Sequence, residues 1–265
     1  MNSSNRQDNR PWALVTGASS GIGAALAREL ARHGHDLVLS ARSRAPMDAL
    51  AEEVRHLGAM ATVITADLAR PGGAAALVRE IAVAGTEIDV LINNAGLGAV
   101  GRFDRIDAAR NAEIMQVNIV ALTELTQALL PAMLARRRGK IVLVASTASF
   151  LPCPNLAVYG ASKAYVRSFG EALAQELRGT GVTVNVLCPG TTATNFFAVA
   201  GAVPNGLQAR RMMTADAVAR IAYAGMARGQ RVTIAGIMNR ILAFGATHTP
   251  HFITLPAAQR LLTEN

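Results

Sequence analysis

Along the chain, short runs of apolar and mostly β-branched residues alternate with longer, alanine-rich stretches. The short runs at 13–16, 36–40, 61–65, 88–92, 140–145, 182–187 and 231–234 are predicted as strands. Their nearly unbroken apolar character suits strands covered on both faces, because a strand with one wet face would alternate. Between them, 21–33, 47–57, 72–84, 108–136, 156–178 and 215–227 have helical length. Strand and helix alternate throughout, which predicts an α/β chain: a three-layer, doubly wound parallel sheet. No domain linker and no repeat of solenoid period interrupts the alternation, so residues 11–265 read as one domain. The polar start, MNSSNRQDNR at 1–10, reads as a disordered arm and not as a secretory signal.

Composition narrows the class. A length of 265 residues suits one α/β domain, and 51% apolar with 4% aromatic residues suits helices packed closely on a sheet. No uninterrupted apolar run reaches membrane-spanning length, so no integral membrane segment is expected. Cys153 and Cys188 lie far from any C-x-x-C spacing, which fits a reduced, cytoplasmic protein. The net charge of +8 comes mostly from scattered arginines. Arg136, Arg137 and Arg138 follow an apolar helix and read as a solvated helix end rather than a nucleic-acid patch. His33 with His35 and His248 with His251 are expected at the surface, and with no third ligand in view no metal is expected.

Candidate chemistry begins with Tyr159 and Lys163 in YGASK. The chain has three tyrosines and only two lysines, yet one of each falls at an i,i+4 spacing that shares a helix face. There an ammonium stabilises a phenolate and draws the phenol pKa down from about 10, giving a general acid and base near neutral pH. A packed tyrosine beside a solvated lysine meets the same pattern. The first strand ends in TGASSGIG, where Gly17, Gly21 and Gly23 precede a helix. Glycines there admit a pyrophosphate to the helix N-terminus, or simply make a tight turn. Asn93, Asn94, Ala95 and Gly96 end the fourth strand, at the edge where open α/β sheets bind ligands. Asn118, a mediocre helix former inside a long helix, is a candidate for holding a water. Ser146 directly follows the fifth strand, where a serine cap is the plain alternative.

TGASSGIG, Asp67, NNAG, Asn118, Ser146, YGASK and Pro189-Gly190 occur in an order and spacing that resembles the short-chain dehydrogenase/reductase family over residues 12 to 235. The resemblance implies a Rossmann-type fold with seven parallel strands and a catalytic tetrad of Asn118, Ser146, Tyr159 and Lys163. It implies nicotinamide-nucleotide contacts from Gly17, Ser19, Ser20, Gly21, Ile22, Gly23, Arg42, Asp67, Leu68, Asn94, Ala95, Gly96, Pro189, Gly190, Thr192 and Thr194, with Tyr159 and Lys163. The DLA at Asp67, TNFF at 194–197 and the divergent tail are most similar to the bacterial broad-specificity branch that resembles 17β-hydroxysteroid and ketoacyl reductases. The implied reaction moves a hydride between nicotinamide and a carbonyl or hydroxyl carbon, with Tyr159 as acid and base, Ser146 polarising the oxygen, and Asn118 keeping a helix distorted around a water.

Members that prefer NAD carry an acid at the end of the second strand, whereas this chain reads Ser40-Ala41-Arg42-Ser43-Arg44. Arg42 suits a 2′-phosphate, so NADP(H) is expected over NAD(H). Phe150, Phe196 and Phe197, with the stretches 150–154 and 97–100 and a substrate loop at 191–213, are expected to wall a pocket for an apolar ketone, aldehyde or 3-oxoacyl thioester. The extension at 236–265 carries Ile237, Ile241, Leu242 and Phe244 at helical intervals, which suits a pocket cover, a subunit contact or a membrane surface. By resemblance, helices 108–136 and 156–178 pair in a homodimer or homotetramer. The rival reading is a catalytically silent NADP-binding regulatory or redox-sensing module of the same fold.

Overall fold

The computed structural model describes residues 10–201 and 212–262. Strands β1 (Trp12–Thr16), β2 (Asp36–Ala41), β3 (Ala61–Thr65), β4 (Ile88–Asn93), β5 (Gly139–Val144), β6 (Val182–Cys188) and β7 (Val232–Ile234) form one parallel sheet in the order β3-β2-β1-β4-β5-β6-β7. Each of the seven sequence-predicted runs is a strand. The order reverses between β1 and β4, which pair directly, with Val15 opposite Ile92, so a crevice opens beyond their carboxyl ends.

The sheet separates two cores, and successive strand residues feed opposite ones. Ala13 and Val15 join Leu26 and Leu30 of helix α1 (Gly21–Arg32), Met47 and Val54 of α2 (Arg44–His56), and Val218 and Met226 of a later helix, Ala215–Ala227. Leu14 faces the other way, into the core formed with Leu77 of α3 (Gly73–Val83), Leu125 and Met133 of α5 (Leu122–Ala135), and Val166 of α6 (Ala157–Glu176). Period-two alternation between two dry faces explains the continuous apolar runs.

In the segment 108–136 the helix is distorted at Asn118, as the resemblance implied. Helix α4 (Ala108–Met115) passes into a π-helical turn, Gln116–Ala121, before α5 resumes. By length and composition Ala108–Ala135 could cross a membrane, but Leu125, Thr126 and Met133 are buried against the sheet as in a core helix. After β6 come a two-residue pairing of Thr192–Ala193 with Met213–Thr214, the short α7 (Phe196–Val199), α8 (Ala215–Ala227), and the tail helices α9 (Ile237–His248) and α10 (His251–Leu262).

The surface expectations hold in part: Arg137, Arg138 and His33 are exposed, while Arg136 is half-buried and His35 buried. The arginines after α5 are engaged: Arg136 donates to the Ile88 carbonyl, Arg137 to Gly179, and Arg138 makes two bonds of 3.1 and 2.9 Å to Asp89. They tie the helix end to the amino edge of the sheet. Arg10, assigned to the arm, donates to the Gly34 and Gly58 carbonyls and sits 3.6 Å from Asp36, so it belongs to the folded body. The rest of the arm, 1–9, lies outside the described residues. His35 is buried, and burial lowers its pKa, while His33 stacks on Tyr223 at 3.9 Å. No cluster of metal-ligating side chains occurs among the described residues.

Candidate active site

The crevice is built from the ends of β1 and β4. Thr16 Oγ1 donates to the Ile92 carbonyl and accepts the Asn94 and Ala95 amides at 3.1 Å each. Asn94 Nδ2 in turn donates to the Thr16 and Gly17 carbonyls. One threonine and one asparagine thereby hold both strand ends. Gly17 and Gly21 take the left-handed conformation, at φ +65 and +56, which a side chain would strain. Gly23 is required for packing: a Cβ there would stand 2.2 Å from the Gly17 carbonyl oxygen. Gly23 therefore supports the turn from behind, while Gly17, Ser19, Ser20, Gly21 and Ile22 face the cavity.

That cavity has a volume of about 930 Å³ and runs from the glycine turn to Tyr159. Ser40, Ala41, Arg42, Asp67, Leu68, Asn94, Ala95 and Gly96 line it, as do Pro189, Gly190, Thr192 and Thr194. Asn93 points away instead, donating to the Leu122 carbonyl and Thr126 hydroxyl of α5. Asp67 is held by the Ala69 amide and by Arg70 at 3.3 Å.

Two features test the fit of a nicotinamide dinucleotide. The Ser40 hydroxyl is buried without a hydrogen-bond partner at the end of β2. Beside it, Arg44 is paired with Asp48 at 3.3 Å, whereas Arg42 has no ion pair among the described residues. An orphaned hydroxyl, a free guanidinium and a glycine cradle suit a polar, anionic nucleotide.

At the other end, Ser146 leaves β5 and Tyr159 and Lys163 rise from α6. Ser146 hydrogen-bonds the Tyr159 side chain and also accepts the Ala148 amide at 3.1 Å, so it is both cap and site residue. Lys163 is buried at 4% exposure, its Nζ donating to the Val144 carbonyl at 2.8 Å and standing 5.8 Å from the Tyr159 ring centre. Asn118 sits in the π turn, fully buried. Its Oδ1 accepts the Leu97 amide at 2.8 Å, and its Nδ2 donates to the Leu97 carbonyl and to Ser162. Ser162 passes the contact on to the Tyr159 carbonyl at 2.7 Å. Gly96 lies between, since a Cβ on it would meet Lys163 Nζ and Asn118 Oδ1 at 3.3 and 3.4 Å. The four tetrad positions thus converge, although Asn118 stands behind the cavity wall and not on it.

Electrostatics correct one expectation. The lysine was expected to lower the tyrosine pKa, but burial raises Tyr159 to about 12, with the Ser146 hydrogen bond pulling the other way. Burial also lowers Lys163 to about 8. Desolvation is the largest cause of both shifts.

The aromatic pocket residues separate. Phe196 tilts against Tyr159 with ring centres 5.2 Å apart, in space left by Gly98. Phe150 is not on the cavity: the turn Thr147–Phe150 swings it onto the core, under the Arg167 guanidinium at 4.5 Å. The Phe197 side chain and residues 202–211 of the substrate loop lie outside the described residues. Leu151 and Cys153 of the expected 150–154 wall do line the cavity, and the far wall comes from tail residues not singled out in the sequence, among them Asn239, Ala243, Ala246, Thr254 and Ala258. Their small size gave no signal beyond the helical spacing of the tail.

The short chain dehydrogenase family model matches residues 11–202. Among curated proteins, a ketoacyl reductase, HetN, of Nostoc sp. is 39% identical over 177 residues, which cover 67% of this chain and 62% of that protein. A 17-beta-hydroxysteroid dehydrogenase type 3 of Mus musculus is 34% identical over 69% of this chain and 60% of its own length. The chain thus spans about three-fifths of each of these two relatives. Among solved structures, a short-chain dehydrogenase from Sphingobium yanoikuyae in complex with NADPH superposes with a TM-score of 0.80 at 34% identity, covering 94% of this chain and 93% of that one.

Proposed function

Because this chain belongs to the short chain dehydrogenase family, we propose that it is an NADP-dependent oxidoreductase acting between the carbonyl and hydroxyl states of an apolar substrate. The observation that carries this reading is the single cavity that joins the glycine turn and Arg42 to Ser146, Tyr159 and Lys163. Gly17 to Ile22 would hold the pyrophosphate, Arg42 and Ser40 the 2′-phosphorylated ribose, Asn94 to Gly96 the adenosine half, and Pro189, Gly190, Thr192 and Thr194 the nicotinamide half. When bound, the nicotinamide supplies or takes up the hydride.

The chain's own residues do the proton chemistry. With its phenol held near 12, Tyr159 is protonated at neutral pH and set to give its proton to a carbonyl oxygen. Ser146 offers the same oxygen a second hydrogen bond. Lys163, charged below about 8, offsets the negative charge left on the phenol. Asn118 fixes the Leu97 loop and, through Ser162, the turn of α6 that carries Tyr159. Phe196, Leu97, Val100 and Leu156 give the substrate end an apolar lining, which favours ketones, aldehydes or 3-oxoacyl thioesters. The exposed faces of 108–136, with Met115 and Val120, and of α6, with Tyr165, would pair copies of the chain, and light scattering that gives a strict monomer would overturn that part.

A screen of those three substrate classes with NADPH and NADH tests the reading by loss of nicotinamide absorbance. Carbonyl-dependent oxidation with NADPH preferred is the expected result. A clear preference for NADH would overturn the cofactor assignment, and no oxidation with any class would favour the silent module.

A further inference from the structure

We propose that the tail hairpin α9–α10 is a docking surface for an anionic lipid membrane. Among the described residues, fifteen large apolar side chains are exposed, and seven of them, Ile237, Met238, Ile241, Leu242, Phe244, Phe252 and Ile253, fall within 17 residues of this hairpin. On α9, Ile237 and Phe244 are exposed at i and i+7, Ile241 between them is exposed but also lines the cavity, and the His248 ring stacks on Phe244 at 4.1 Å. Asn239, Ala243 and Ala246 form the opposite face and line the cavity. Ile237, Phe244 and Phe252 do not line the cavity and are 70%, 67% and 78% exposed. Contiguous apolar surface of this kind marks an interaction site.

Charge selects the occupant. The hairpin, 237–262, contains no Asp or Glu but two arginines, Arg240 and Arg260. Arg240 is exposed on α9 with the apolar residues. A second copy meeting this hairpin by a twofold axis would set two acid-free basic surfaces against each other, which is unfavourable. Acidic headgroups over an acyl layer satisfy both the arginines and the exposed apolar residues, as for an amphipathic helix lying in the interface. Since Leu242 and Ala243 also line the cavity, docking would bring its mouth to the lipid. The surface stands apart from the chemistry proposed above, and its test does not depend on turnover.

The test is co-sedimentation of the full chain with vesicles of phosphatidylcholine alone or mixed with phosphatidylserine, at low and high salt. Binding to the phosphatidylserine vesicles, weakened by salt, is expected. The Phe244→Ser/Phe252→Ser double variant, with its fold checked by circular dichroism, should lose binding by about tenfold or more, as removal of large apolar side chains from the lipid implies. Arg240→Gln should cost about fivefold on the acidic vesicles alone. The proposal is overturned if the chain stays in solution with both vesicles, or if the double variant binds as well as the parent. It is equally overturned if the double variant turns an oligomer into a monomer by light scattering without changing vesicle binding, which would make the hairpin a subunit contact.

Discussion

Lys163 carries its charge where burial opposes it, and this tension sets the pH behaviour of the site. Its folded pKa of about 8 lies below the ordinary 10.5, so between these values the unfolded chain binds more protons and this group's contribution to stability rises with pH. Activity runs the other way. Carbonyl reduction needs Tyr159 protonated and Lys163 charged, so kcat/KM is expected to fall as pH rises through about 8, read from a pH–rate profile. Lys163→Arg keeps a charge at all pH values but loses the compact ammonium that reaches the Val144 carbonyl. Its turnover should drop sharply and its residual activity should lack the fall near pH 8. At the other end of the cavity, Arg42→Glu should reverse the cofactor preference, weakening NADPH by about tenfold or more, the scale of one charge-assisted hydrogen bond. Titration of cofactor fluorescence with both nucleotides checks it.

At the scale of elements, two glycines with different surroundings give opposite expectations. Gly23 of α1 lies against the Gly17 carbonyl, so Gly23→Ala forces backbone apart and should cost about 1–3 kcal/mol in denaturant unfolding, with loss of nucleotide binding. Gly245 of α9 has open space where a Cβ would go, so Gly245→Ala should gain up to about 1 kcal/mol from helix propensity. The strands and α1 were readable because their apolar period and glycine spacing are local. The π turn was not readable from the period, since an inserted residue leaves the 3.6 period of 108–136 nearly intact over that length, and the distorted helix was implied by the resemblance alone. Asn118 itself gave only a hint, by being a poor helix former at a buried position.

For the whole molecule, the sheet order brings residues from β1, β2, β4, β5, α6 and the segment after β6 to one edge. Tyr159 and Lys163 stood out because tyrosine and lysine are rare in this chain, whereas Ser146 and Asn118 were singled out by their place after a strand and inside a helix and by the resemblance. What the sequence did not disclose depends on packing at a distance. Phe150 reads as pocket lining until a turn sends it to Arg167, and Arg136 reads as solvated until the sheet's edge supplies the Ile88 carbonyl. The pKa of Tyr159 depends on how much water the folded site excludes, which spacing along a helix does not encode. The central claim is that the Tyr159 hydroxyl is the proton donor of a nucleotide-dependent carbonyl reduction. Tyr159→Phe removes that oxygen alone, and the measurement is carbonyl-dependent NADPH oxidation alongside NADPH affinity. A fall in turnover of about a thousandfold with affinity kept is predicted; turnover near the parent's would contradict the account.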